Sequence, residues 1–476
     1  MTELVNKTQK GLKWSAIERI LTQGMQLAIT LFLARLLGPN SFGLVGMLAV
    51  FIAIANVFVD SGFTSALIRK PDLYESDLVT AFYYNIGIAS LCYSALYVSA
   101  PAIAQFYQQA ELQSLLRVLG ISVLINSFTL IPRVKLNVAM DFKTQAKISV
   151  ISVVISGSVA IVLAMYGFGV WALVFHTLIN ASCAALLFYL FMPWLPNGNI
   201  SKASFNYLFG YGSKLLLSGL LDVIYNNLCQ IIIGKKFSPA VVGQFTQAYQ
   251  LASVPASTLT SIIQRVTFPM FSQMQSNNDT MEEAYRQTLR MSAMVIFPLI
   301  IGLGLIAKPL LMNLLGSQWQ SSTTLLSVLC VGYMLYPIHA VNLNLLQVTG
   351  RSDLFLKLEV FKKVMGLGVL LICIPYGVLA ICIGLTVTSY FSLLLNTYYT
   401  AKLTRLSQWQ QCKDLIPIWL AVILSALLGY AFGLAWQAQP WIQILINLSV
   451  ALLCYSLYLL LAQRPMLLQL HRAFRS

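Results

Sequence analysis

The chain has 476 residues, of which 58% are hydrophobic and 9% are charged. A soluble protein carries about 25% charged residues, so this composition excludes an ordinary water-soluble domain. The formal net charge of +15 would suggest nucleic-acid binding in a soluble protein. Here most of the 30 Lys and Arg residues flank hydrophobic segments instead, so we expect no nucleic acid among the partners.

The hydrophobic residues form about fourteen segments, each close to the ~20 residues that a helix needs to cross a bilayer. Basic residues cluster at alternate ends of these segments, as at Arg69–Lys70 and Arg133–Lys135. This is the positive-inside pattern, and it predicts that both termini are cytoplasmic. The sequence therefore predicts an all-α polytopic membrane protein.

The first segment carries a polar face on an otherwise apolar helix. Glu18, Arg19 and Gln26 recur at helical spacing with Thr22 between them. A charged side chain within a bilayer costs about 2.5–3.5 kcal/mol on insertion scales, which indicates a wet cavity or a partner. The alternative is that Glu18 and Arg19 reach the nearby cytoplasmic surface.

Three charged residues near the ends of other segments are candidates for a gate or a cavity mouth. Asp60 lies in the second segment near its cytoplasmic end, Arg117 lies near the external end of the fourth, and Arg265 lies near the cytoplasmic end of the eighth. Simple anchoring at the membrane interface is an equally good interpretation of each.

The seventh segment has a polar stripe at strict four-residue spacing, which places its members on one helical face. We interpret it, with the face of the first segment, as the lining of a substrate cavity. Arg19 and Lys214 would attract an anionic head group there. The stripe consists of Lys214, Ser218, Asp222, Asn226 and Gln230.

The tenth segment adds side chains whose role the sequence leaves open. Asn342 and Asn344 follow two tyrosines and a proline, a group that suits either contact with sugar rings or anchoring at the interface. His339 in this segment and His176 in the sixth are interpreted as packing histidines, with a proton relay as the alternative.

Several landmarks recur about 200 residues apart. Gly38–Gly43 is echoed by residues 237–245, and Pro132 by Pro337, with offsets that stay between 200 and 208. Duplicated halves in a polytopic membrane protein usually form a transporter with its site between them. We predict an N-terminal lobe over residues 1–195, a C-terminal lobe over 196–405, and two further helices with a cytoplasmic tail over 406–476.

Short motifs along nearly the whole chain resemble one family. They are Ala34–Pro39 with Phe42–Gly43, Gly167–Val174, Val242–Phe245, and Phe268–Pro269. In these motifs the chain is similar to the polysaccharide transporter branch of the MOP flippase superfamily. Within that branch it most resembles the Wzx-type and colanic-acid-exporter-like oligosaccharide flippases.

The resemblance implies two pseudo-symmetric six-helix bundles that form a V, followed by two extra helices. The implied activity moves a polyprenyl-diphosphate-linked oligosaccharide from the cytoplasmic to the outer leaflet of the bacterial inner membrane by alternating access, for surface polysaccharide assembly. No cofactor or metal is implied, and the transport would be coupled to a proton or sodium gradient. Membrane lipids are expected partners, and polysaccharide polymerase machinery is a candidate one.

Two other functions remain open. A drug or metabolite antiporter of the same superfamily would need a compact cation site with deep acidic residues, and Asp222 alone is little support for one. A membrane enzyme such as a polysaccharide polymerase or ligase would be expected to carry a large external loop with clustered Arg and His. The connections between the predicted segments are short on that side, which favours a transporter that is not an enzyme.

Overall fold

The computed structural model describes residues 2–60, 62–70, 72–275, 278–436 and 439–464, with side chains at 18 and from 21 onward except 278 and 352. These residues form α-helices joined by short turns and contain no strand, which confirms the predicted all-α class. The helices are α1 (Thr2–Asp60), α2 (Phe63–Arg69), α3 (Glu75–Tyr107), α4 (Glu111–Leu119), α5 (Ile121–Ser127), α6 (Leu130–Val138), α7 (Phe142–Met165), α8 (Val170–Phe191), α9 (Lys202–Lys236), α10 (Pro239–Gln273), α11 (Asn278–Leu305), α12 (Ala307–Leu314), α13 (Gln320–Tyr333), α14 (Tyr336–Val348), α15 (Ser352–Cys373), α16 (Val378–Leu403), α17 (Gln408–Ala435) and α18 (Pro440–Ala462).

In the described part of the chain, 10 helices are long and apolar enough to cross a membrane, or up to 11 if the bent pair formed by α4–α5 and α6 is one span. This number is below fourteen partly because α1 runs through the first two predicted segments. The helix α15 also carries four charged residues in its first half. Each predicted segment does fall on helix, and the number fourteen stays a prediction.

Gly38 interrupts the helical geometry of α1 between the first two predicted segments. Its φ of 72° lies in the left-handed region that glycine adopts without a steric penalty. Pro39 follows, at the start of the second arm, where a missing N–H costs little. The second arm, residues 39–60, extends roughly 30 Å from this turn, and the first arm, residues 2–37, is longer.

The chain divides into two compact units, Met1–Gly243 and Gln244–Ser476. In the first unit α1 packs against α7 and α9, and α7 packs against α8. Small residues permit the close approach of α7: a Cβ added to Gly157 would lie 2.2 Å from Ile29 Cδ1. Leu33 fits against Ala160 and Ala172 in the same core.

The connection between α8 and α9 is tied to the start of α3. The indole N–H of Trp194 donates to Glu75 Oε1 at 2.5 Å, and the Ser201 N–H donates to Thr80 Oγ1 at 2.9 Å. The predicted lobe boundary at residues 195 and 196 lies in this connection, and the division into lobes stays a prediction.

In the second unit α11 packs on α17, and α13 packs on α16. Arg286 Nε donates to Asp414 Oδ2 at 2.7 Å, and Arg290 also binds this buried carboxylate. Asn278–Leu305 is one continuous helix, although its N-terminal part is polar. Its first turns reach α17 through these ion pairs, so the polar residues serve packing within the unit.

Candidate substrate-binding site

The helix α9 presents its predicted polar stripe on the surface of the first unit. Lys214, Ser218, Asp222 and Asn226 are exposed, and Gln230 is half-buried. Leucines on neighbouring faces of α9, such as Leu217 and Leu221, are exposed as well. The stripe is therefore not buried in the core of its own unit, and its role as a cavity lining stays a prediction.

The polar face of the first segment is only partly described. Glu18 is half-buried, and its Oε1 accepts a hydrogen bond from Ser149 Oγ at 3.1 Å. Gln26 is exposed. The side chain of Arg19 lies outside the described residues.

Arg133 on α6 lies beside two of the predicted site residues. The charges of Asp60 and Glu18 both act on its guanidinium. Asp60 is exposed, and its Oδ1 accepts a hydrogen bond from Thr64 Oγ1 at 2.7 Å. Glu18 and Asp60 are each about 20 residues from Gly38, one on each arm of α1. The two carboxylates therefore lie at similar distances from the turn.

The environment of Arg133 suits recognition of an anion. Its Cζ lies 5.5 Å from the centroid of the buried Phe188 ring, which is within the range of a cation–π contact. Arg133 as a whole is exposed. Sequence reasoning assigned Arg133 to the positive-inside pattern and missed it as a site residue. The sequence signal that could have indicated a role for Arg133 is its position directly after Pro132 in an apolar segment.

Arg117, a predicted gate residue, is half-buried at the end of α4. Its Cζ stacks 4.3 Å from the centroid of Tyr97 on α3. The structure does not place it with Asp60, Glu18 or Arg133, and its role as a gate stays a prediction.

The second unit contains a hollow of about 420 Å³ beside Arg265 on α10. Its wall includes Ser261 and Gln264 from the same helix and Asn344 from α14. Asn344 Nδ2 donates to Thr267 Oγ1 at 3.0 Å, which holds the buried amide in place at the wall. Phe268 and Pro269 complete the lining. The hollow is wide open to its surroundings. Its two amides lie against each other, with Gln264 Nε2 3.5 Å from Asn344 Oδ1, and the Ser261 hydroxyl donates to the Thr258 carbonyl at 2.8 Å, so the exposed Arg265 is the charged group that the hollow presents.

Asn342 and Asn344, which the sequence analysis considered as one group, have different surroundings. Asn344 lines the hollow, whereas Asn342 is fully buried among α11, α14 and α16. The Tyr285 hydroxyl lies 2.6 Å from Asn342 Oδ1, and Thr400 Oγ1 donates to the same oxygen at 3.0 Å. Contact of Asn342 with a sugar, one of the two sequence interpretations, is therefore wrong, because its amide is used in packing.

His339 is held on both sides of its ring. Nε2 lies 3.0 Å from Ser389 Oγ, and Nδ1 lies 3.3 Å from Asn396 Nδ2. Since Ser389 Oγ donates to the Gly332 carbonyl, it accepts from His339, and the amide donates to Nδ1. A neutral imidazole satisfies this arrangement, as the packing interpretation of His339 expects. In the part of the chain that the structure describes, no group of three His, Cys, Asp or Glu residues is placed to hold a metal ion.

These features define a multi-pass α-helical membrane protein with a polar stripe on the surface of its first unit and an open hollow beside Arg265 in its second. A model of the family described as "Polysaccharide biosynthesis protein" matches residues 32–324, and the chain belongs to this family. The predicted resemblance to the polysaccharide transporter branch is thereby confirmed.

Known relatives extend over almost the whole chain. It is 26% identical to the teichuronic acid biosynthesis protein TuaB of Bacillus subtilis (strain 168), over 98% of this chain and 97% of that protein. It is 24% identical to the lipopolysaccharide biosynthesis protein WzxC of Escherichia coli (strain K12), over 92% and 89% of the two chains.

Among solved structures, the lipid II flippase MurJ in an inward closed conformation has the same fold. The two superpose with a TM-score of 0.71 at 14% identity, covering 94% of this chain and 98% of that one. The predicted transporter fold is thereby confirmed.

Proposed function

We propose that this protein is a flippase that moves a polyprenyl-diphosphate-linked oligosaccharide from the cytoplasmic to the outer leaflet of the bacterial inner membrane. The observation that carries the proposal is the exposed guanidinium of Arg265 beside an open hollow of about 420 Å³ on the second unit. The family match and the biosynthetic roles in the names of TuaB and WzxC support a surface polysaccharide as the end product.

The physical task explains why such groups are needed. A head group of sugars and a diphosphate cannot cross hydrocarbon unaided, because each hydroxyl and phosphate oxygen would lose its hydrogen bonds to water. Exposed amide and hydroxyl groups, such as those of Asn226 and Ser218 on α9, replace water for the sugars. A guanidinium such as that of Arg265 binds phosphate oxygens in pairs.

The mechanism that we propose is alternating access. The head group enters a cavity lined by the α9 stripe and by the polar face of α1, while the prenyl chain remains in the lipid. The cavity then opens to the other side of the membrane, with energy from a proton or sodium gradient. The protein needs no enzymatic step of its own, and polysaccharide polymerase machinery takes over the product.

The proposed orientation places both termini in the cytoplasm. The support for it is the clustering of Lys and Arg at one set of segment ends. Under this orientation, Arg133 and the accessible end of α2 lie at the cytoplasmic side, where a lipid-linked substrate is first met.

The test is the leaflet in which the substrate accumulates when the protein is absent. In a deletion strain, lipid-linked oligosaccharide should accumulate in the cytoplasmic leaflet, protected from a membrane-impermeant glycan-oxidising reagent in spheroplasts. Wild-type protein expressed in that strain should restore labelling and surface polysaccharide. Accumulation of fully accessible substrate in the deletion strain would overturn the proposal, because translocation would then not be the missing step.

A further inference from the structure

The turn between α6 and α7 presents apolar side chains on the outside of the first unit. Val138 is 51% exposed and Met140 is 44% exposed, and Ala139 between them is exposed as well. Earlier in α6 the apolar side chains face inward, so that Val134 and Leu136 are buried. The exposed apolar surface is therefore a feature of the turn and does not belong to the packed face of α6.

Hydrogen bonds hold this turn in one shape. The Asp141 N–H donates to the Leu136 carbonyl at 3.0 Å and the Met140 N–H donates to the Asn137 carbonyl at 3.1 Å, which closes the end of α6. The Asp141 carboxylate accepts from the N–H and the hydroxyl of Thr144 and so caps the start of α7. The apolar side chains of the turn are thus held at a fixed position.

Met140 adopts a backbone conformation that methionine rarely adopts. Its φ of 56° lies in the left-handed region, and among the described residues Gln108 is the only other non-glycine residue with a positive φ. Glycine is the usual residue where a helix ends in this way, because a Cβ is sterically unfavourable there. An exposed side chain at a strained position adds little to packing within the chain, which indicates a contact with something outside it.

Lysines flank the turn on both sides. Residues 135–147 contain Lys135, Lys143 and Lys147 and one acidic residue, Asp141. Lys143 and Lys147 are exposed and four residues apart, so they share one face of α7 and lie within about 10 Å of the turn along the helix. The positive-inside pattern accounts for the lysines, but it does not account for the exposed methionine between them.

We propose that this turn docks on anionic phospholipid. The apolar tip Val138–Met140 contacts the acyl chains just below the head groups, and Lys143 and Lys147 bind the phosphate of a lipid. The helix α7 is long and apolar enough to cross the membrane, so its first turn lies at the level of the bilayer surface, where lipid is the neighbour.

A lipid fits this surface better than an acidic protein does. Lysine stems lie along apolar surface while their ammonium groups reach the head groups, so the lysines and the apolar tip are satisfied together at a negatively charged bilayer. A water-soluble acidic partner would pair with the lysines and leave the apolar tip without a complementary surface. The inference does not depend on the proposed function, because the transported head group plays no part in it.

The test is native mass spectrometry of the purified full-length protein in detergent. It measures the affinity for single molecules of phosphatidylglycerol, which is anionic, and of phosphatidylcholine, which carries no net charge. Lys143→Gln combined with Lys147→Gln should weaken the tightest phosphatidylglycerol binding at least about tenfold, because each lysine near the head groups contributes about fivefold, and should leave phosphatidylcholine unchanged. The matched control is Lys202→Gln combined with Lys413→Gln, which removes two exposed lysines from α9 and α17 and should bind both lipids as the wild type does.

Met140→Gly tests the apolar tip with two measurements of opposite sign. It removes the apolar side chain, so the affinity for both lipids should fall about threefold. It also places glycine at the positive φ, so the melting temperature in lipid-free detergent should rise. A methionine that served only to pack the protein would instead lower the melting temperature when it is removed.

The inference is overturned if the variant without Lys143 and Lys147 binds phosphatidylglycerol as tightly as the wild type. It is also overturned if that variant loses both lipids equally, because charge would then not be the cause. A melting temperature of Met140→Gly below that of the wild type would assign Met140 to packing and remove the apolar tip from the docking surface. Unchanged lipid binding by every variant would leave an acidic protein as the occupant and would likewise end the proposal.

Discussion

Gly43 lies directly against the carbonyl oxygen of Pro239. A methyl group placed on Gly43 would be 1.7 Å from that oxygen, and one placed on Gly243 would be 1.9 Å from the carbonyl oxygen of Pro39. The contact is therefore reciprocal between two segments that are 200 residues apart in the sequence. The echoed Gly-Pro landmarks are not only equivalent turns, because they form a tight backbone contact with one another.

This contact predicts a strict requirement for glycine. Gly43→Ala and Gly243→Ala should each lower the free energy of unfolding by about 1–3 kcal/mol, the usual cost of overpacking, because backbone atoms must move apart. Thermal unfolding of the purified protein measures the effect. Gly24→Ala is the matched control, because a Cβ there meets nothing within 4 Å. If Gly43→Ala is as stable as that control, the close contact does not exist in the folded protein.

The ion pairs between α11 and α17 predict a second stability effect. Asp414→Asn should cost about 1.5–3 kcal/mol, since the buried carboxylate accepts charged hydrogen bonds from Arg286 and Arg290. Asp279→Asn provides the comparison, because Asp279 and Arg405 form an ion pair with side chains that are 75% and 76% exposed. Such a pair contributes less than about 1 kcal/mol. Equal melting temperatures for the two variants would contradict the assigned role of Asp414.

The cap of α7 predicts a pH-dependent contribution to stability. Asp141 Oδ1 accepts from the Thr144 N–H at 3.1 Å and Oδ2 accepts from Thr144 Oγ1 at 2.7 Å, and these hydrogen bonds lower the pKa of Asp141. A lowered pKa in the folded state stabilises the protein above the unfolded value of about 3.9, and this gain is lost as the pH falls through the folded value. Asp141→Ala should therefore cost about 1 kcal/mol at pH 6 and less at pH 3.

The matched variant for this cap is Asp141→Asn, which can accept the same hydrogen bonds but does not titrate. Its difference in melting temperature from Asp141→Ala should be the same at both pH values. A pH-independent difference between wild type and Asp141→Ala would show that the carboxylate charge is not involved.

The hollow on α10 predicts a loss of transport without a loss of folding. Arg265→Gln should reduce surface polysaccharide at least about tenfold, because the proposed contact of its guanidinium with phosphate oxygens is removed. Protein abundance in the membrane should be unchanged, since Arg265 is exposed. The control is Arg351→Gln, at an exposed arginine that pairs with Asp353 at the start of α15. Normal export by Arg265→Gln would remove the hollow from the proposed site.

The polar stripe on α9 predicts a similar loss of transport when residues of the first unit are changed. Asp222→Ala should impair export while insertion and abundance stay normal, because the residue is exposed on α9 and is not part of the core. Leu221→Ala changes the neighbouring exposed side chain and should export as the wild type. Arg19→Ala is also expected to impair export. If both Asp222→Ala and Arg19→Ala export normally, the cavity assignment is wrong.

Much of the fold follows from local patterns that act over short distances. In lipid, an apolar segment of about 20 residues can make all its backbone hydrogen bonds only as a helix. The composition of the sequence therefore predicts where the helices lie. Gly38 and Pro39 mark a turn for the same local reason, since few other residues tolerate that geometry. The strict spacing of Lys214 to Gln230 likewise predicted a single face of α9.

The sites themselves were less predictable, because each joins residues that are far apart in the chain. Arg265 and Asn344 line one hollow only because α10 and α14 pack together. Arg133 was counted as a topological charge, since nothing in its own segment shows that Glu18 and Asp60 reach it. Asn342 and Asn344 are two residues apart and both are buried, yet helix packing places only Asn344 at the wall of the hollow.

By itself, then, the sequence determined that this is a membrane-embedded bundle of helices with internal duplication and with polar faces at defined positions, because hydropathy and helical period are local properties. Tertiary structure alone decided which charges share a site, since the energy of a charge depends on the groups that surround it in space. Arg133 shows the difference most clearly: the chain supplies a cation near a helix end, and folding places it 5.5 Å from the centroid of the Phe188 ring, within the influence of two distant carboxylates of α1.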